Sequence, residues 1–272
     1  MINTLRSLYT KSFSRNYSIL ASTEKSIVNS QLESLLSKKI DCLIINNYLQ
    51  RNHFLAEQKI IKTYLTQPSH PLGDKQHLNL SCQKAHQHPE LRYFYHFNAS
   101  RGIKLLRESA PSHKLWIDKL LLDLDNEHFA GAQFETPRLA RRQPFIAQLH
   151  QGSSIALEEN HTIPETFLPK FFKSHFLALQ FLAIPEKGAD VRLFSKYELK
   201  PSSENYHPIG LNSGQGDPFK FSMGIQPQPG SLLILDGQIP VKLQLKDKSS
   251  SMMVLQSYIL YRGEDKSLTL MR

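Results

Sequence analysis

Cysteine is scarce in this chain of 272 residues, occurring only as Cys42 and Cys82. Neither lies in a CxxC or comparable spacing, which excludes a disulfide framework and a zinc ribbon and makes a reducing compartment the natural setting. Long apolar runs are lacking too. The densest, FLALQFLAI from Phe176 to Ile184, falls well short of the roughly 18 residues of a membrane-crossing helix, so no transmembrane segment is expected. Several catalytic signatures are missing: there is no GxSxG elbow, no GxxxxGK[ST] phosphate loop and no GxGxxG after a strand. GLNSGQGD, from Gly210 to Asp217, has no following helix to aim amides at a phosphate, and reads as a loop. Acidic charge is in short supply: 24 Asp and Glu against 33 Lys and Arg leave a net charge of +9. That surplus permits an anionic partner, but no arginine–aromatic pattern accompanies it and no nucleic-acid motif is present. The sharpest basic cluster, RLARR from Arg138 to Arg142, reads as a solvated loop, with an anion at its edge as the alternative.

What is present describes an ordinary folded protein: 40% apolar residues and 10% aromatics. Residues 1–22 stand apart. They carry Arg6, Lys11 and Arg15 with no acid before Glu24, and Leu5, Leu8, Tyr9 and Phe13 can share one helical face. This is the composition of a mitochondrial transit peptide or of a basic tail on a bacterial protein. The expected location is therefore intracellular, mitochondrial in a eukaryote and cytoplasmic in a bacterium. On this reading residues 1–22 are dispensable for folding.

Apolar spacing predicts helices over Thr23–Lys39, Phe54–Thr66 and His113–Phe129, with a strand over Asp41–Leu49 between the first two. Gln67 to Glu90, rich in His, Pro and Gln, reads as a long excursion. After Pro144 the pattern changes to short apolar runs divided by Pro and Gly turns: FIAQLHQG, FLALQFLAIPEKG, DVRLFSKYEL, FSMGIQPQPG, SLLILDG, VKLQL and MMVLQSYILYR. Such spacing is that of a sandwich or barrel. Helices first and strands afterwards give an α+β class. The expected organisation is a tail over 1–22, a helical and irregular part over 23–143 packing on the core, and a strand core over 144–272.

The order of these segments resembles the prolyl-hydroxylase-like branch of the 2-oxoglutarate/Fe(II)-dependent dioxygenases. FIAQLHQGSSIALEEN matches the strand leading to that family's first metal motif, and PQPGSLLILDG its "proline, glycine, aliphatic strand" phrase. The resemblance implies a double-stranded β-helix (jelly-roll) core with N-terminal flanking helices. It also implies a site of two imidazoles and one carboxylate on iron, with an arginine pairing the far carboxylate of 2-oxoglutarate.

Those residues are not where the resemblance puts them. The first motif, His-x-Asp, falls on Glu158, Glu159 and Asn160; the distal histidine falls on Val241; the arginine falls within Ser249 to Met253. The literal His-x-Glu of the chain, His88-Pro89-Glu90, lies ahead of the strand core, and its proline suits a central strand poorly. Candidate substitutes are His150, Glu158 and His161 for a metal, and Lys246 or Lys248 for an oxoacid carboxylate; a solvated acidic turn and a charged hairpin are the bland alternatives. Two functions follow from the resemblance. One is a degenerate relative that expects no cofactor at the usual site and binds a small molecule or peptide in the barrel cleft. The other is an active hydroxylase using Fe(II) and 2-oxoglutarate through relocated ligands.

Overall fold

The computed structural model describes residues 17–65, 107–108, 114–134, 146–151, 155–156, 172–196, 219–239, 241–246 and 251–271. In chain order the elements are β1 (Ile19–Ser22), α1 (Asn29–Leu36), β2 (Cys42–Ile45), α2 (Arg51–Leu65), α3 (Trp116–Glu127), β3 (Ala132–Phe134), β4 (Ile146–Gln151), β5 (Ile155–Ala156), β6 (Ser174–Ala183), β7 (Ala189–Lys196), β8 (Phe219–Ile225), β9 (Leu232–Asp236), β10 (Val241–Leu245), β11 (Ser251–Tyr261) and β12 (Leu268–Met271). The class is α+β.

Two sheets carry the fold. The larger runs β1-β2-β9-β6-β11-β12-β3, with β4 also paired to β11; the smaller runs β5-β10-β7-β8. From β4 to β11 the chain therefore keeps crossing between the sheets. Only β7 and β8 follow one another within one sheet.

The near-continuous apolar run of β6 has a physical reason, because both its faces are buried. Leu177, Leu179 and Phe181 join Val191, Leu193, Val241, Leu243 and Val254 in a cluster containing side chains of both sheets. Phe176, Ala178 and Leu182 join Trp116, Leu120 and Leu124 of α3 and Leu32 and Leu35 of α1 on the other face. Helices thus cover one face of the large sheet and the small sheet covers the other. Burial of each such side chain is worth about 1.5–3 kcal/mol. In β10, by contrast, Val241, Leu243 and Leu245 are buried while Lys242 and Gln244 are partly exposed, the alternation of a strand with one wet face.

α3 begins without a cap of its own. Leu115 at its N-cap has no side-chain oxygen, and the Trp116 amide donates instead to both carboxylate oxygens of Glu57 in α2, each at 3.1 Å. Glu57 is fully buried, so its two oxygens serve a helix terminus and tie two helices together.

The structure corrects the sequence reading in three places. Tyr17 to Ser22 fall in the expected tail, yet β1 pairs in parallel with β2, Ile19 lying opposite Cys42, and Tyr17 is buried. The part expected to pack on the core, 23–143, also supplies two strands of the large sheet, β2 and β3, so sheet membership crosses the boundary at 143/144. The first helix begins at Asn29, not Thr23. His88-Pro89-Glu90 and RLARR lie outside the described residues.

Candidate functional site

The Asp236-Gly237 turn delivers the chain from the large sheet to the small one. Asp236 shapes it: its backbone oxygen accepts from the Ile239 amide and its side chain from the Gln238 amide, both at 3.0 Å. Lys38 holds the same carboxylate at 3.1 Å. Gly237 is required by close approach, since a β-carbon there would lie 2.0 Å from Cδ2 of His175. That histidine ring lies edge-on to Phe172 and Tyr258, at centroid distances of 5.9 and 6.2 Å.

Val241 follows this turn as the first residue of β10. It stands opposite Leu193 of β7, is 1% exposed, and belongs to the apolar cluster between the sheets. Its neighbour Lys242 stands opposite Ala156, where β5 ends. The start of β10 and the end of β5 therefore meet at one end of the small sheet. On β11, Met252 and Val254 are fully buried in the same inter-sheet cluster, while Met253 faces the helices.

A branched alkyl group has no lone pair to offer a metal, so Val241 does not fit an imidazole's place in an iron site. Among the described residues no group of three or more His, Cys, Asp or Glu side chains comes together as a metal centre would. His150 stands on β4 with its backbone opposite Met252. Glu158, His161 and Lys248 lie outside the described residues. Lys246 follows β10 at the end remote from Val241; its amide donates to the Gly188 carbonyl at 3.4 Å and its ammonium lies 3.7 Å from Asp190. It is engaged where β10 ends beside β7, at the strand end opposite Val241.

Elsewhere two buried groups are held protonated. Burial, with Asp41 adding to it, pushes the Cys42 thiol far above its ordinary range, so no thiolate forms near neutrality. Burial followed by the neighbouring Asp123 likewise raises the Tyr48 phenol. Lys119 lies 4.1 Å over the Tyr48 ring and 2.8 Å from Asp123, a packed structural cluster on the helical side. The sequence reading missed His175. It sits one residue ahead of the apolar run from Phe176, and its place is legible only from the glycine it packs on.

No protein-family model matches the sequence, and no curated protein matches it either. Solved structures do. An N-substituted L-amino acid dioxygenase from Burkholderia ambifaria, in complex with alpha-KG, superposes with a TM-score of 0.53 at 13% identity, over 90% of this chain and 91% of that one. The structure of a dioxygenase of the same description and source gives a TM-score of 0.51 at 12% identity, with the same coverage. The chain has the fold of a 2-oxoglutarate/Fe(II)-dependent dioxygenase. At such identities the likeness carries fold alone. The sequence resemblance sets the distal metal ligand at Val241, the residue that opens β10 after the Asp236-Gly237 turn.

Proposed function

We propose that this protein is a pseudoenzyme of the 2-oxoglutarate/Fe(II) dioxygenase fold, retained as a binding or regulatory relative. On this reading strands β4 to β11 form the double-stranded β-helix of the fold, alternating between its sheets. One observation carries the reading: Val241, at the position of the distal histidine, is buried among Leu193, Leu243 and Val254 rather than presented with a donor atom. Glu158 and Asn160 at the first motif add one carboxylate and one amide, a hard and weak donor set for iron. With the metal's donors lost, the Lewis acid and the dioxygen site are lost together, and apolar neighbours replace neither.

The partner on this reading is a small molecule or peptide at the end of the inter-sheet interior near Val241. The test is a titration with Fe(II) of the wild-type chain beside Glu158→His/Asn160→Asp/Val241→His. The wild type is expected to show no binding at micromolar metal, and the triple variant to gain affinity by orders of magnitude. Micromolar binding by the wild type, abolished by His150→Ala or His161→Ala, refutes the reading and establishes relocated ligands. Oxygen consumption with Fe(II) and 2-oxoglutarate, lost on replacing Lys246 or Lys248, would do the same for the oxoacid.

A further inference from the structure

The end of the inter-sheet interior where β10 begins is crossed by the side chain of Tyr17, two residues ahead of β1. Register fixes the place. Ile19 stands opposite Cys42, Cys42 opposite Leu235, and Leu235 lies one residue before the turn that leads to Val241. Tyr17 therefore leaves the large sheet at the end where β10 starts. Its side chain turns inward, 7% exposed, into the same apolar cluster as Cys42, Leu235, Ile239 and Val241. Its hydroxyl donates to the Phe194 carbonyl of β7 at 2.6 Å, a contact between residues 177 apart. Phe194 lies where the β7–β8 ladder changes register, and a bulge of this kind leaves ladder groups available to outside donors. One side chain thus spans from the edge of the large sheet to the small one.

Behind it the chain is fastened. The Ser18 amide donates to the Asp41 carboxylate at 2.9 Å, the Asp41 amide to the Ser18 carbonyl at 2.9 Å, and the Asp236 amide to the Asp41 carbonyl at 3.0 Å. A fixed strand followed back to an inserted aromatic is the arrangement of a strap. From this geometry we infer that the Tyr17 side chain closes the Val241 end of the interior, and that release of this side chain admits a ligand there. The inference rests on the reading of that end as the binding site.

Cys42 reports on the strap directly, being fully buried in the same cluster and paired in register with Ile19. The experiment follows alkylation of Cys42 by iodoacetamide, read by peptide mass spectrometry to separate it from Cys82, in the full chain and in Tyr17→Ala and Tyr17→Phe. Tyr17→Ala is expected to label at least 10-fold faster than wild type at urea concentrations far below global unfolding, with a rate insensitive to urea. Tyr17→Phe, which loses only the hydroxyl, is expected to label roughly fivefold faster. A wild-type rate in Tyr17→Ala, or an acceleration that rises with urea as global unfolding does, overturns the strap. If Tyr17→Ala does not fold, a wild-type rate in Tyr17→Phe overturns it. Iron binding by the wild type, which would refute the pseudoenzyme reading, leaves these rates untouched, so the two failures are separable.

Discussion

Gly237→Ala is the sharpest test of how the turn into β10 is built. The backbone of Gly237 does not need the left-handed region, so alanine meets no conformational penalty of its own. Its β-carbon meets the His175 ring instead, 2.0 Å from Cδ2 and 2.3 Å from Nε2. The ring cannot simply slide, because it is lodged between Phe172 and Tyr258. Overpacking of this kind costs about 1–3 kcal/mol, and a ring forced off its rotamer about 0.5–1.5 kcal/mol more. The expected loss is therefore about 2–4 kcal/mol, a fall of roughly 5–10 °C in Tm for a chain of this size. His175→Ala alone removes a half-buried ring and is expected to cost about 1–3 kcal/mol. In that background Gly237→Ala should cost less than about 0.5 kcal/mol, since its methyl group occupies vacated space. Urea unfolding followed by the single Trp116, which is fully buried, measures all four corners of the cycle. Equal costs for Gly237→Ala with and without the His175 ring would refute the steric argument.

Glu57→Ala leaves the Trp116 amide without its buried carboxylate, with an expected loss of about 2–4 kcal/mol by urea unfolding; Glu57→Gln, which keeps an acceptor oxygen, should lose about half of that. Stability should fall in alkali. Cys42 and Tyr48 both have their proton affinity raised by folding, so their contribution is complete below their ordinary values of 9.0 and 10.0 and is lost as pH rises above them. Tm measured from pH 8 upward should decline, and Cys42→Ala with Tyr48→Phe should flatten the slope; an unchanged slope would contradict the burial argument. Deletion of residues 1–22 removes β1 and Tyr17 and should lower Tm by roughly 10 °C or more, whereas an unchanged Tm would show that β1 contributes nothing to the large sheet.

Long, strongly patterned segments were legible in the sequence. The runs from Phe176, Asp190, Ser231, Val241 and Met252 all became strands, because apolar and β-branched residues on a buried pleat leave few alternatives. The turn at Asp236-Gly237 was legible for its own chemistry. What escaped was short or decided from afar. β1 reads ILAS inside a basic, serine-rich stretch, and β3 reads AQF, neither long enough to show a period. β12, LTLM, follows a charged turn, and all four of its residues are buried only because β11 lies beside it. At the candidate site the residue type of Val241 was legible in the sequence, but its burial between the sheets was not. Nor were the roles of His175 and Glu57, because they depend on Gly237 and Trp116, which tertiary packing alone brings to them.

The arrangement of the large sheet also sets an order in time. β2 sits between β1 and β9, so a strand made early in synthesis finds its second partner only after β9 has left the ribosome. β6 waits in the same way for β9 and β11, and β3 for β12 at the far end of the chain. A nascent chain therefore carries the apolar edges of β2 and β6 unpaired for most of its translation, at ~5–20 residues per second. Distant pairings of this kind close slowly once the chain is complete. The protein should be recovered in higher yield when its translation is slowed or its expression temperature lowered.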